Sequence, residues 1–380
     1  MEKMKNYMLR LLCLTLLSGV FFSCTEEDEP DKPSPTQTST ETQTEEPAED
    51  INPDALNPYT EGLYVLCEGT YGQNNSALDF FDNAVLQVKK NIFETVNKQG
   101  LGETANDMIK VNGLLYAAID GSACVTVIDA STGILKKIIP ITDSRGVNRE
   151  PRHLAYYNDN VYVTCFDGSL VRISVSSNTV TGTVNTQGRN PEGIAVLSGK
   201  IYVANSGGLS YPNYDNTVSV IDEVSFTVEK LIPVMDNPQT VKAYKNSVYV
   251  LSTGDYTKTY RLTVIKNGEK TDSLDINMTD FMFFNDCLYY VYKPFTSSNT
   301  VLNKINVNDL HSQPVAFAQV PSNLATPYRI CEQNGIIYVC DNKNATTSGE
   351  VFAFDDASGL LYSFPTSVGP NTVISKKDSK

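Results

Sequence analysis

The feature that most constrains this chain is a tyrosine between two apolar residues that returns seven times. The copies are Leu63-Tyr64-Val65, Leu115-Tyr116-Ala117, Val161-Tyr162-Val163, Ile201-Tyr202-Val203, Val248-Tyr249-Val250, Leu288-Tyr289-Tyr290 and Ile337-Tyr338-Val339. Successive tyrosines are 52, 46, 40, 47, 40 and 49 residues apart. Each copy follows a short turn: Asn112-Gly113, Asn158-Asp159, Ser198-Gly199, Lys245-Asn246, Asn285-Asp286 or Asn334-Gly335 before the last six. Such pairs supply the positive φ that a tight hairpin needs. An apolar strand precedes each turn, as in Gly193-Ile194-Ala195-Val196-Leu197. An alternating strand follows, as in Thr217-Val218-Ser219-Val220-Ile221-Asp222, and then an outer strand such as Glu229 to Val234. No amphipathic helical stretch of more than two turns appears.

A unit of about 46 residues made of four short strands is a propeller blade. We therefore expect an all-β, seven-bladed β-propeller of four-stranded antiparallel blades. The first motif has no apolar strand of its own before it. The missing inner strand is found at the other end of the chain, in Pro370-Asn371-Thr372-Val373-Ile374-Ser375. Adding that C-terminal strand to the first blade closes the ring and removes two exposed sheet edges.

The N-terminus obeys different rules. Lys3, Lys5 and Arg10 precede an apolar run from Leu11 to Phe22, too short for a stable membrane span. The run ends at Ser23-Cys24, which resembles the lipobox of bacterial lipoproteins. The resemblance implies cleavage after residue 23 and acylation of Cys24. The following Thr25-Glu26-Glu27-Asp28-Glu29 resembles the acidic surface-export signal of Bacteroidetes lipoproteins. Residues 25–50 hold ten acidic side chains and one lysine, and the chain to Pro58 is poor in apolar residues. It cannot offset its own conformational entropy by burial, so it reads as a disordered tether. The expected organisation is a signal peptide (1–23), a lipidated cysteine with its tether (24–58) and the propeller (59–380). The implied location is the outer membrane, exposed at the cell surface, with the lipid as the only membrane contact. The net charge of −14 lies largely in the tether. No basic stripe remains for phosphates, which argues against nucleic acid as a partner.

The stretch Arg189-Asn190-Pro191-Glu192-Gly193-Ile194-Ala195-Val196, with Lys200-Ile201-Tyr202-Val203-Ala204-Asn205 and Asn216 to Asp222, resembles the YVTN-type repeat of seven-bladed propellers. The resemblance extends over residues 60–375. The opening Tyr64 to Gly72 with Asn75-Ser76-Ala77-Leu78 is similar to propeller surface lipoproteins of gut Bacteroidetes, among them those that capture cobalamin (vitamin B12). That narrower resemblance implies cobalamin as the ligand and a TonB-dependent outer-membrane transporter as the partner. Propellers host many functions, so two other readings stay open. One is a protein–protein module such as a surface-layer component. The other is a lactonase-like hydrolase using Arg152, His153 and Glu192.

Chemistry-bearing residues are few. Of the eight cysteines, Cys67, Cys124, Cys165, Cys287, Cys331 and Cys340 fall in the propeller, without CxxC spacing. Hairpin register opposes Cys331 to Tyr338 and Cys340 to Arg329, which disfavours a disulfide between them. These cysteines read as small apolar strand residues. Only His153 and His311 exist, so no cofactor, metal site or catalytic residue is expected.

Geometry suggests a site instead. The D-to-A and B-to-C loops leave one face, where each inner strand starts beside the axis. Aligning those starts gives Asp107, Arg152, Glu192, Gln239, Asp280, Tyr328 and Asn371 as candidate channel-mouth residues. Pairing among them, which would only staple neighbouring blades, is the competing reading. The loops on this face add Tyr71, Tyr211, Tyr214, Tyr256, Tyr292 and Phe295, combining apolar area with polar tips. The absence of Trp counts against a glycan platform.

Overall fold

The computed structural model describes residues 61–255, 259–294 and 299–377. Cys24, the leader and the tether lie outside the described residues, as do Tyr256 and Phe295. Seven four-stranded antiparallel sheets are formed, each from consecutive strands except the first. We letter the strands of a blade A to D from the axis outward. Blade one takes its B strand from Gly62–Cys67 and its A strand from Pro370–Ser375, paired from Leu63↔Ser375 to Cys67↔Pro370. The ring closes as the sequence predicts, with the closing A strand at the expected Pro370–Ser375. The other A strands are Ala105–Val111, Pro151–Tyr157, Pro191–Leu197, Pro238–Tyr244, Asp280–Phe284 and Pro327–Gln333. Each touches the A strands of both neighbouring blades, so the seven form the innermost ring.

The A-to-B hairpins follow from their turn residues. Positive φ is found at both central positions of Asn112-Gly113, Asn158-Asp159, Ser198-Gly199, Asn285-Asp286 and Asn334-Gly335, and at Lys245 of the sixth turn. Asparagine, aspartate and glycine tolerate that region best, and it matches the twist of the strands. The one helix among the described residues is Ile92–Asn97, in the connection from blade one to blade two. It plugs Ile92 and Phe93 into the core beside it.

That core is not at the axis. Seven separate clusters of buried side chains lie between adjacent sheets, one for each interface of the ring. The B strand makes this possible because both of its faces are buried. Leu63 and Val65 pack toward blade seven, whereas Tyr64 and Leu66 pack toward blade two. The period-2 alternation of a strand thus serves two interfaces at once.

The recurring tyrosine gains a physical reason here. Its ring fills the interface to the next blade, and in several blades its hydroxyl reaches that blade's C-to-D turn. Tyr64 donates to the Ala130 carbonyl at 2.7 Å, Tyr116 to Asn178 at 2.5 Å and Tyr162 to Glu223 at 2.8 Å. Tyr289 reaches Asp356 in the same way. Burial raises the Tyr64 and Tyr162 hydroxyls well above the ordinary phenol range, so they stay protonated donors.

Candidate functional site

Antiparallel pairing fixes which loops share a face. Pro151 starts its A strand opposite Cys165, the last residue of its B strand, and Thr217 starts a C strand opposite Pro233, the end of a D strand. A-strand starts, B-to-C loops and D-strand ends therefore meet on one side, as expected.

The alignment of the seven starts needs one correction. In blades one, two, three, four, five and seven the A/B register shifts at this point, so two A residues oppose one B residue. A β-bulge of this kind re-aims side chains at a sheet edge. Counting through it separates two rings of positions. The first holds Asn106, Arg152, Glu192, Gln239, Tyr328 and Asn371. The second, one residue later, holds Asp107, His153, Gly193, Thr240, Asp280 and Arg329, with Thr372 from blade one. Asp107 and Asp280 therefore belong to a different ring from the other expected residues.

The two rings do different work. Arg152 is buried and lies between two buried carboxylates. Its Nη1 is 2.9 Å from Asp120 of blade two, and its Nε is 3.2 Å from Glu192 of blade four. Its guanidinium also covers the Phe166 ring at 4.3 Å. Burial pushes the Asp120 carboxyl up, and Arg152 opposes that shift. Asn371 donates to the carbonyls of Ala105 and Asn106, and Asn106 donates to that of Pro151. Arg152, Glu192 and Asn371 are thus committed to joining successive blades. Tyr328 donates to Glu68 at 2.9 Å, and Gln239 to Asn237.

In the second ring, Asp107 accepts from the Leu154 N–H of blade three, and Asp280 accepts from the Ile330 N–H of blade seven. Gly193 occupies the same position in blade four. A Cβ there would lie 2.6 Å from both Gln239 O and Val241 N, so blades four and five can approach only through a glycine. His153 sits half-buried, Nδ1 3.4 Å from Asp107 and Nε2 3.6 Å from Glu192. Arg329 is half-buried and makes no hydrogen bond or ion pair with the described residues; its guanidinium lies 5.0 Å from the Tyr328 ring.

Sequence reasoning missed Arg329, Asp120, Glu68 and also Lys242, whose Nζ lies 3.4 Å from Asp280. Asp120 and Glu68 had a readable signal, since each stands four residues after a repeat tyrosine and so opens a B-to-C loop. Arg329 was hidden by the bulge.

The aromatic loops divide likewise. Tyr71 and Tyr211 are exposed, and Tyr211 meets Tyr214 edge-on with ring centroids 6.0 Å apart. Tyr292 is half-buried against Tyr260, and burial raises its hydroxyl pKa. All six propeller cysteines are free thiols in strands, and Cys331 opposes Tyr338 while Cys340 opposes Arg329, as the register predicts. His311 lies in an exposed turn beside Asp272. Among the described residues no three or more His, Cys, Asp or Glu side chains are grouped to hold a metal ion.

These features define a closed seven-bladed β-propeller whose inner ring is polar and self-paired at one face. The chain belongs to the DUF5074 family, a domain of unknown function, whose family model matches residues 61–258. No curated protein matches its sequence. Among solved structures it is similar to a quinonprotein alcohol dehydrogenase-like protein of Bacteroides thetaiotaomicron, at 14% identity and TM-score 0.61, covering 83% of this chain and 78% of that one. A candidate 6-phosphogluconolactonase of Bacteroides uniformis matches at 10% identity and TM-score 0.60, covering 83% of this chain and 99% of that one. A hydrazine synthase structure from Kuenenia stuttgartiensis matches at 15% identity and TM-score 0.56, covering 70% and 87%. At such identities the likeness is one of fold.

Proposed function

We propose that this protein is a ligand-binding lipoprotein of the bacterial cell surface, held by acylated Cys24, whose A-strand face captures a bulky amide-fringed ligand for a TonB-dependent transporter. Cobalamin is the ligand that best matches this description. The observation that carries the reading is the composition of one face. It combines a ring of amide, carboxylate and guanidinium groups with the exposed aromatics Tyr71 and Tyr211 and the neighbouring Tyr214. Corrin-rim carboxamides both donate and accept, so they pair with the half-buried members of the inner ring that are not spent on joining blades, Arg329 and His153, and tyrosine rings pack on a flat macrocycle.

The test is calorimetry of the full chain, purified in detergent, with cyanocobalamin and no added metal. Tyr211→Ala with Tyr214→Ala should weaken binding, whereas substitution at the Asn334-Gly335 turn on the opposite face should not. Because the proposed contacts are uncharged on the ligand side, salt should matter little. No heat with cobalamin or its analogues rejects the ligand, and wild-type protein left unlabelled by a fatty-acid analogue rejects the anchor.

A second reading has one observation in its favour. His153 between Asp107 and Glu192 is the one cluster at the mouth that pairs an imidazole with carboxylates. A hydrolase would use it for proton transfer, and lactone hydrolysis lost in His153→Gln would establish that reading.

A further inference from the structure

The chain contains three Asn-Gly pairs, Asn112-Gly113, Asn267-Gly268 and Asn334-Gly335. An asparagine followed by glycine can modify itself. The glycine nitrogen gives its proton to solvent hydroxide and attacks the asparagine Cγ. The new N–Cγ bond closes a succinimide, and the Cγ–Nδ2 bond breaks to release ammonia. Water then opens the ring to aspartate or isoaspartate, so no oxidant or cofactor enters the balance. Glycine favours the attack because it has no side chain to block it.

The three pairs form a matched set. Each is the two-residue loop of a hairpin, closed by Val111↔Leu114, Lys266↔Glu269 and Gln333↔Ile336. The φ angles are 50° and 77°, 50° and 72°, and 54° and 84°. All three asparagines are exposed. The backbone distortion that brings nitrogen to Cγ is therefore closely alike in all three, and the surroundings set the difference.

Those surroundings differ in charge. The Gly335 N–H donates to the Glu332 carboxylate at 2.6 Å, and Asn334 Nδ2 donates to Ser375 Oγ at 2.9 Å. A carboxylate is too weak a base to take an amide proton, and it repels the nitrogen anion. At Asn112-Gly113 neither the side-chain amide nor the Gly113 N–H is engaged by a described residue. At Asn267-Gly268 a cation is present instead. Lys230, from the outer strand Thr227–Pro233 of blade four, places Cε and Nζ each 3.0 Å from the point a Gly268 Cβ would take. Standard backbone dimensions then put the ammonium within about 5.5 Å of the Gly268 nitrogen. Glu269 holds the lysine there, Nζ to Oε1 2.5 Å. The Glu269 side chain is 77% exposed against 39% for Lys230, so water screens the carboxylate more than the ammonium.

We propose that Asn267 is the self-modification site of this propeller, with Lys230 of the neighbouring blade stabilising the attacking nitrogen, while Glu332 and Ser375 protect Asn334. The product carries a carboxylate beside Lys230 and, as isoaspartate, an extra methylene in a turn whose length sets the register of blade five's outer strands. The turn is a C-to-D turn, on the face away from the channel mouth, so the candidate binding face keeps its residues.

The test incubates the full chain in mildly alkaline buffer, digests it with pepsin in acid and follows the three Asn-Gly peptides by mass spectrometry. A unit charge about 5 Å away in water changes an equilibrium about fourfold. Asn267 should thus convert about fourfold faster than Asn112, and Asn334 about fourfold or more slower. Lys230→Gln, or about 1 M salt on the wild type, should bring Asn267 to the Asn112 rate, and Glu332→Gln should speed Asn334. In urea the three rates should converge. An Asn267 rate no higher than that of Asn112, or one unmoved by Lys230→Gln and by salt, overturns the proposal. The same order persisting in urea also overturns it, because flanking residues and not the fold then set the rates. An Asn334 rate unchanged in Glu332→Gln overturns the protection of that turn. Should Lys230→Gln melt lower than wild type, the salt and urea series on the wild type decide alone.

Discussion

Replacing Tyr64 with Phe isolates the hydroxyl that ties blade one to blade two. The ring is fully buried, and the bond it donates to the Ala130 carbonyl is 2.7 Å long. Ala130 is itself 3% exposed, so water cannot readily replace the lost donor. Removing one partner from such a pair costs about 1–3 kcal/mol, toward the desolvation cost of the stranded carbonyl. For a domain of roughly 320 residues, an unfolding entropy of about 2.1 cal/mol/K per residue converts this into about 1.5–4.5 °C of melting temperature. Tyr202→Phe is the internal control. Tyr202 fills the equivalent place in blade four, 4% exposed, but its hydroxyl makes no hydrogen bond to a described residue. Its loss should stay within about 0.5 kcal/mol. Denaturant unfolding followed by circular dichroism suits a chain without Trp. If Tyr202→Phe costs as much as Tyr64→Phe, the clasp is not the reason for the tyrosine, and ring packing alone accounts for it.

Arg152→Ala should cost about 3–5 kcal/mol, because it strands Asp120 and Glu192 as buried like charges; a loss under about 1 kcal/mol in urea unfolding would show the triad to be solvated. Deleting residues 370–380 removes the A strand of blade one and exposes two sheet edges. The product should melt lower and aggregate, and a monomeric deletant with an unchanged melting temperature in light scattering and calorimetry would refute strand closure. Asp129 is held down to about 2: burial opposes ionisation, but the Ser131 hydroxyl and N–H and Lys136 outweigh it. A carboxylate depressed from 3.8 stabilises the fold above about pH 4 and loses that contribution as pH falls toward 2. Asp129→Asn should therefore be less stable than wild type at pH 7 and equal to it near pH 2 in parallel unfolding curves; a constant difference would refute the assignment.

What the sequence by itself determined is the blade. Tyrosine spacing, Asn-Gly turns and alternating strands are local signals, each carried within a few residues. Closure was legible too, because blade one lacked an inner strand and Pro370–Ser375 supplied one. The polar character of the A-strand starts could also be read, and so could the competing possibility that Arg152 and its neighbours staple blades. Only the tertiary structure decided which residues do so. Arg152 meets Glu192 and Asp120 across distances of 40 and 32 residues, and nothing local encodes those pairings. The bulge is the second reason. It lengthens the start of six inner strands by one residue, which merges two rings in a linear alignment and kept Arg329 out of view. A repeat announces its strands through period and turn chemistry. Which side chain of a bulged strand is spent on the neighbouring blade, and which keeps its hydrogen bonds free, is settled only when seven such strands pack around one axis.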